Sequence, residues 1–439
     1  MRKGFIFNHN KCVSCKSCSA ACILENSWSI QLRKIYTFNS EAESLLLLIN
    51  LRLACNHCES AVCMKGCPTS SFTRDSLTGA ILFDEMKCIG CRYCQWKCPY
   101  DAPKFDSAKK LITKCNLCYS GLMDGRQPAC SSACPTGALS FGQLSGQKAD
   151  IGYSWFPNKN LDPAIEFTAG ENSDPLRIIP ENIYNSEITN HVNKEKSISG
   201  ELSLIVFSFL TTLSVATLIS SIFRGVYPER TVFIPVIVLA GLASFFHLGK
   251  RLRSWRSVSN LKNSPLSREI AFYLIYSTLS SITVFFQLPV FLIISSVIGL
   301  VLLILIDSVY IYADKRKYVK LHSGQTFLSA LLIASFLSGA VSPFIFIAII
   351  KLVASLYSLL VKKMNSNFEI RFLRIAFLIV TGISLISHNS YSDLITISMF
   401  LTGEFFDRII FYIDFNPLNI NALINSQLNI DRDEKKRGK

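Results

Sequence analysis

"CIGCRYCQWKCPY" occupies residues 88–100 and sets Cys88, Cys91, Cys94 and Cys98 within a few turns of chain, with Pro99 directly after the last. The spacing C-x2-C-x2-C-x3-C is that of two-cluster ferredoxins, where three cysteines bind one iron–sulfur cubane and the fourth ligates the other. Two-residue gaps let a tight loop wrap three irons. The three-residue step carries the fourth thiolate into a helical turn that points away. Pro99 ends that turn, because its ring cannot continue a helix.

Working outward, three more groups of four appear: Cys12, Cys15, Cys18 and Cys22 in "CVSCKSCSAAC"; Cys55, Cys58, Cys63 and Cys67 in "CNHCESAVCMKGC"; and Cys115, Cys118, Cys130 and Cys134 in "CNLC" and "CSSAC". Pro68 and Pro135 follow the second and fourth groups as Pro99 follows the third, whereas Cys22 is followed by Ile23. These groups contain all 16 cysteines of the 439-residue chain. A disulfide framework suits small secreted chains, and "MRKGFIFNHNKC" contains no apolar signal core, so no export of an oxidised domain is expected. Zinc uses C-x2-C pairs, but repeated four-cysteine groups with a trailing proline are not its pattern. The expectation is four [4Fe–4S] clusters, and cysteine at all four positions of 88–98 argues against a three-iron cluster there. His57 reads as a packed neighbour rather than a ligand, since its group already supplies four thiolates. Trp96 reads as a shield that keeps water from a cluster.

"CNHCESAVC" and "GCP", then "CIGCRYCQWKCPYDAPKF", closely resemble the four-cluster electron-transfer subunit of the dimethyl sulfoxide reductase family, and "TKCNLCYSGLMDGRQPACSSACPTGAL" resembles its fourth group. The likeness covers roughly residues 1–180. It implies that the groups cross-pair. Cys12, Cys15 and Cys18 would share a cluster with Cys134, and Cys115, Cys118 and Cys130 one with Cys22. Cys88, Cys91 and Cys94 would pair with Cys67, and Cys55, Cys58 and Cys63 with Cys98. The first cluster would face a catalytic partner and the last the membrane.

After residue 200 the composition changes. The apolar runs at about 203–223, 231–249, 270–287, 289–311, 325–342, 344–361, 371–387 and 391–413 are each near the ~20 residues that span a bilayer core. A soluble core does not string so many long apolar runs together. The expected fold is therefore an α+β ferredoxin-like poly-cluster domain followed by an all-α polytopic transmembrane bundle of about eight helices. The boundaries are 1–145 for the cluster domain, 146–200 for an extended Asn-, Asp-, Pro- and Ser-rich linker or docking arm, 201–415 for the membrane anchor and 416–439 for a basic tail.

The net charge of +14 is unevenly spread: residues 1–200 carry 22 Lys and Arg against 18 Asp and Glu, and residues 201–439 carry 23 against 13. The second surplus lies beside apolar runs, which excludes nucleic acid as the expected partner and points to a lipid bilayer. Lys250, Arg251, Arg253, Arg256, Lys262 and Arg268 follow the second run, Lys315, Arg316, Lys317 and Lys320 the fourth, and Lys362, Lys363, Arg371 and Arg374 the sixth. The alternate loops hold little beyond Arg224 and Arg230. Positive-inside then sets the chain in the prokaryotic cytoplasmic membrane as a multi-pass protein, with the cluster domain on the cytoplasmic face. A periplasmic face stays open, because family complexes often carry a twin-arginine signal on the catalytic partner and these loops could be basic for docking.

"GLASFFHLGKRLRSWRSVSNLKNSPLSREIAF" resembles the quinol-oxidising stretch of the same family's membrane anchor. The resemblance implies a quinol site at His247 and Glu269, with Arg253 holding Glu269 ionised or orienting the ring. An imidazole titrating near neutrality can take a proton, and a carboxylate can pass one onward. A histidine snorkelling at a helix end is the bland alternative. "TGEFFDRIIFY" resembles the family's final helix; Glu404 and Arg408 stand there at i, i+4 and can neutralise each other. Intramembrane ions are functional candidates by default, though such a pair can also serve packing alone. Asp307 and Lys351 are a further possible pair.

The six histidines, His9, His57, His191, His247, His322 and His388, offer no paired axial ligands deep in a span, so no haem is expected. The sequence reads as an electron-transfer subunit fused to its anchor, an oxidoreductase component without a substrate-reducing domain of its own. Menaquinol would be oxidised to menaquinone and electrons passed to a separate molybdopterin-containing catalytic subunit in anaerobic respiration. The alternative runs the conduit in reverse, from formate, hydrogen or a sulfur compound to quinone. A redox sensor or assembly scaffold is a third reading, which four clusters exceed.

Overall fold

The computed structural model describes residues 2–38, 49–145, 161–168, 200–313, 322–362, 368–386 and 394–415. Most of the 146–200 linker, the 416–439 tail, Lys315, Arg316, Lys317, Lys320, Lys363, His191 and His388 lie outside the described residues. The described residues divide into two compact units, one before residue 195 and one between 196 and 416.

The first unit is built from short pieces. β1 (Lys3–Phe7) pairs antiparallel with β8 (Leu139–Gln143) and parallel with β9 (Ile165–Phe167), giving a three-stranded sheet in the order β8-β1-β9. Phe5, Phe7 and Phe141 are buried on it, with the rings of Phe5 and Phe141 5.4 Å apart. Three hairpins complete the strands: β2 (Lys34–Phe38) with β3 (Ile49–Leu53), β4 (Phe72–Arg74) with β5 (Ile81–Phe83), and β6 (Lys104–Asp106) with β7 (Leu111–Thr113). Between them lie α1 (Ser17–Asn26), α2 (Val62–Gly66), α3 (Tyr93–Lys97), α4 (Tyr119–Met123) and α5 (Ala129–Ser132).

β9 corrects the boundary set at 145. Residues 161–168 read as linker by composition, yet they belong to this unit. Ile165 and Phe167 alternate inward around Glu166, and Ser60 N–H donates to the Leu161 carbonyl at 3.0 Å. The period-two signal is only three residues long and is drowned by the surrounding Asn and Pro.

The second unit is helical, with helices at all eight predicted runs: α6 (Leu202–Arg224), α7 (Arg230–Phe246), α8 (Pro265–Phe286), α9 (Pro289–Ala313), α10 (Thr326–Ser338), α11 (Val341–Lys362), α12 (Phe368–Ile386) and α13 (Leu394–Asp414). α6 packs on α7, α9 and α10, α8 on α9, and α12 on α13. Among the described residues α6, α8 and α9 are long and apolar enough to cross a membrane, and a fourth span results if α7 and the 3-10 segment Arg251–Val258, bent by 102°, count as one. α12 and α13 carry too many ions for an apolar span: Glu369, Arg371 and Arg374 on one, and Glu404, Asp407, Arg408 and Asp414 on the other.

Arg371 and Arg374 are a second correction. They are not loop charges marking a membrane face; they are 6% and 2% exposed inside the helical unit. α12 begins at Phe368, a turn earlier than hydropathy suggests, because these cations meet acidic partners on α13.

Candidate functional site

All sixteen cysteines are free thiols, which removes the disulfide alternative. Their grouping follows from which thiols act on one another. Cys12 feels Cys18, Cys134 and Cys15; Cys22 feels Cys115, Cys130 and Cys118. Cys58 feels Cys55, Cys98 and Cys63, while Cys91 feels Cys67 and Cys88, and Cys94 feels Cys91, Cys67 and Cys88 and, last, Cys63. Each set takes three thiols from one motif and one from another. Cys12, Cys15, Cys18 and Cys134 line one cavity with Phe7, Ile35 and Arg52. Cys55, Cys58, Cys63 and Cys98 line another with His57, Tyr100 and Lys114.

The local backbone explains how short loops achieve this. Lys16 (φ 61°) and Arg92 (φ 59°) each follow the second cysteine of a C-x2-C-x2-C-x3-C motif and adopt the left-handed conformation immediately before α1 and α3. A non-glycine residue held there costs on the order of 1–3 kcal/mol and persists only where its surroundings fix it. Backbone N–H groups then point at sulfur: Gly90 donates to Cys88 at 3.3 Å, Leu117 to Cys115 at 3.4 Å, Ser71 to Cys67 at 3.4 Å and Leu139 to Cys134 at 3.4 Å.

The electrostatics fit a multi-iron group. Burial, then neighbouring thiols, push Cys22 up to about 12. Burial pushes Cys63 up to about 11 against the lowering pull of Lys114. Four thiols crowded away from water cannot all ionise against one another, whereas a cationic iron core binds thiolates and offsets both penalties. Cys15 differs from the rest: it is exposed, and the Ser17 hydroxyl 3.4 Å away lowers its pKa.

His57 is buried at 3% exposure, and its Nδ1 accepts the Ile81 N–H at 2.9 Å. Burial, then Lys114, hold its pKa well below the usual value, so it is a neutral lining residue. Trp96 is half-buried against the edge of Tyr93, with ring centroids 6.4 Å apart. Sequence reasoning missed Arg33 and Arg52, both 1% exposed; Arg33 donates to Cys130 Sγ at 2.8 Å. Arg33 precedes β2 and Arg52 lies on β3, outside every cysteine motif, so only the folded hairpin reveals them.

In the second unit, His247 caps the end of α7 and is partly exposed, just before the 102° turn into Arg251–Val258. That 3-10 segment carries Arg253 and exposes Leu252 and Trp255. It is tied to the start of α8 by Ser267 Oγ, which donates to the Ser257 carbonyl at 2.6 Å, while Ser264 accepts from Ser267 N–H and Pro265 opens the helix. Glu269, one turn on, is 6% exposed and faces into the bundle. The charges acting on it are Arg408 and Asp307, so its cation comes from α13. Arg253 sits on the half-exposed 3-10 segment.

The pairing expected within "TGEFFDRIIFY" is also redrawn. Glu404 takes Lys351 of α11 at 2.5 Å, and Arg408 takes Asp307 of α9 at 3.6 Å. Lys351 also reaches Asp407 at 3.0 Å, and Asp407 pairs with Arg374 at 3.0 Å. Asp414 joins Arg371 at 2.6 Å and His322 at 3.2 Å. Each carboxylate prefers a cation from another helix, since i, i+4 neighbours meet at the helix surface whereas these side chains all point to one shared interior. Asp307 also accepts the Thr326 N–H at 3.0 Å and the Phe327 N–H at 3.2 Å, an anion at the N-terminus of α10. Of these residues the sequence left Asp407, Asp414 and His322 unassigned, although "FFDR" already carried an acid and a base inside an apolar run.

The fold and its thiol groups define a ferredoxin-type iron–sulfur protein carried on a membrane domain. Residues 48–144 match the 4Fe-4S dicluster domain model, and residues 198–398 match the model of the DMSO reductase anchor subunit. The chain is 35% identical over 160 residues to an anaerobic dimethyl sulfoxide reductase chain of Haemophilus influenzae, covering 34% of this chain and 78% of that one. It is 35% identical over 151 residues to the probable anaerobic dimethyl sulfoxide reductase chain YnfG of Escherichia coli K12, covering 32% and 73%. It is also 28% identical over 193 residues to a sulfite dehydrogenase subunit of Allochromatium vinosum, covering 37% and 80%. The chain belongs to the dimethyl sulfoxide reductase family and joins its iron–sulfur electron-transfer subunit to a membrane anchor of the same family.

Proposed function

We propose that this chain oxidises menaquinol in the prokaryotic cytoplasmic membrane and passes the electrons through four [4Fe–4S] clusters to a separate molybdopterin-containing catalytic subunit. Quinol binds by the turn after α7. His247 takes a proton from it, Arg253 orients the ring, and Glu269 carries a proton inward. Each quinol releases two protons and two electrons, and the clusters that the thiol sets hold would accept the electrons one at a time. The four sets are Cys12, Cys15, Cys18 and Cys134; Cys22, Cys115, Cys118 and Cys130; Cys67, Cys88, Cys91 and Cys94; and Cys55, Cys58, Cys63 and Cys98. The first set is the exit toward the partner, a placement that the exposure of Cys15 supports. The cluster unit is assigned to the cytoplasmic face, where Lys250, Arg251, Arg253 and Arg256 follow α7.

One observation carries this reading: an iron–sulfur unit and an anchor of the DMSO reductase type are joined in one chain. Adding a reduced menaquinol analogue to the purified complex should bleach the cluster absorbance, and His247→Ala should abolish bleaching at unchanged iron content. Unchanged bleaching in that variant overturns the quinol site. A haem Soret band in the complex overturns direct transfer from quinol to cluster. The likeness to a sulfite dehydrogenase subunit supports a second reading, in which the partner donates and quinone accepts. Partner substrate added with oxidised quinone, followed by quinone reduction, distinguishes the two.

A further inference from the structure

Arg33 and Arg52 are each 1% exposed and lie beside one ring, their guanidinium carbons 5.3 and 4.0 Å from the centroid of Phe5. The hairpin register Ile35↔Arg52 brings together Arg33, just before β2, and Arg52 on β3. No carboxylate among the described residues pairs with either. Arg33 gives one hydrogen bond, to Cys130 Sγ; its Nε and other terminal nitrogen, and all three side-chain nitrogens of Arg52, have no hydrogen-bond partner among the described residues. Two adjacent buried cations with five unused donor nitrogens are untenable without an anion. Sulfur is what faces them beside the Phe5 ring: Cys18, Cys115 and Cys130 act on both, and Arg52 lines the cavity of Cys12, Cys15, Cys18 and Cys134.

We propose that Arg33 and Arg52 are positioning residues that supply the counter-charge of the two clusters held by Cys12/Cys15/Cys18/Cys134 and Cys22/Cys115/Cys118/Cys130, and so set their reduction potentials. The inference rests on the reading that these thiol sets bind [4Fe–4S] clusters. Reduction adds one electron from the preceding cluster and reoxidation removes it, with no bond or proton change at either guanidinium. The reduced cluster is one unit more negative, so a fixed cation in a poorly screened interior favours it and raises the potential.

The test is a redox titration followed by electron paramagnetic resonance on the intact complex with its catalytic partner. Arg52→Gln and Arg33→Gln should each lower the reduced-to-oxidised ratio of one or both of these clusters about tenfold at a fixed poise, about 59 mV for a one-electron couple. The other two clusters should not move, and Arg52→Lys and Arg33→Lys should restore most of the shift. Full iron with four unmoved midpoints in both glutamine variants overturns the proposal. If both glutamine variants lose iron, retention of iron by both lysine variants supports the counter-charge, and loss in the lysine variants too overturns it. Absence of any cluster signal in the unaltered complex sinks the cluster reading itself, a separate failure.

Discussion

The two units of this chain meet the same difficulty, buried charge, by opposite routes. In the first, the anionic groups are thiols set a few residues apart, and the elements between them are helices of four to ten residues and strands of three to five. In the second, carboxylates and cations come from different helices and meet far apart in sequence, as Lys351 and Glu404 do. The first unit is organised around what it binds, while the second is organised around its own side chains. The difference teaches that charge placement can be read from spacing only where the chain itself is the scaffold of the site.

Removing the clusters should break that comparison most widely. Helices of four to ten residues have little stability of their own, and Cys18, Cys55, Cys98, Cys115 and Cys130 are part of the first unit's core. Iron extraction by chelator under oxidation should therefore open residues 2–168 to protease, while the helical unit stays protected and keeps its far-ultraviolet helical signal. Equal protection of both units after full iron loss would show that the first unit folds on its own apolar contacts.

The second unit should yield to a single residue instead. Lys351 is fully buried and bridges Glu404 and Asp407. Lys351→Ala leaves Glu404 without its cation, a loss of about 3–5 kcal/mol for a broken buried pair. Lys351→Met combined with Glu404→Leu should recover most of it, because uncharged side chains of similar volume leave no stranded ion. Thermal unfolding of the purified complex in detergent decides this: a double variant as damaged as the single one would make shape, not charge, the function of the pair.

A smaller effect follows from a close approach in the same network. A Cβ on Gly324 would lie 2.4 Å from the Asp407 carbonyl oxygen and 2.9 Å from Phe411 Cβ. Backbone cannot swing aside as a side chain can, so Gly324→Ala should cost about 1–3 kcal/mol by overpacking. An unchanged unfolding temperature would mean that α13 slides freely past the start of α10.

How much of this was legible follows from the same contrast. The four cysteine groups stood out by spacing alone, whereas their cross-pairing came only from the resemblance. The eight apolar runs each became a helix to within a few residues. Arg33 and Arg52 were invisible because their meeting depends on a hairpin, and neither lies inside a cysteine motif. Glu404 and Arg408 were seen, but their partners were not: i, i+4 spacing is a local rule, and Lys351 and Asp307 arrive through tertiary packing of α11 and α9. β9 escaped because three alternating residues are too few to outweigh a proline-rich setting.

The smallest expected effect isolates burial as the variable. Arg126 and Glu25 form an ion pair at 3.1 Å, but their side chains are 57% and 33% exposed, against 0% and 3% for Lys351 and Glu404. Water and salt screen the exposed pair, and holding two long side chains together costs conformational entropy. Arg126→Ala should therefore change stability by only about 0–1 kcal/mol, and less at high salt. Arg126 also packs against Gly121, so Arg126→Gln, which keeps part of the stem, separates lost packing from lost charge. A loss for Arg126→Ala as large as that for Lys351→Ala would mean that pairing chemistry, rather than distance from water, sets the worth of an ion pair in this chain.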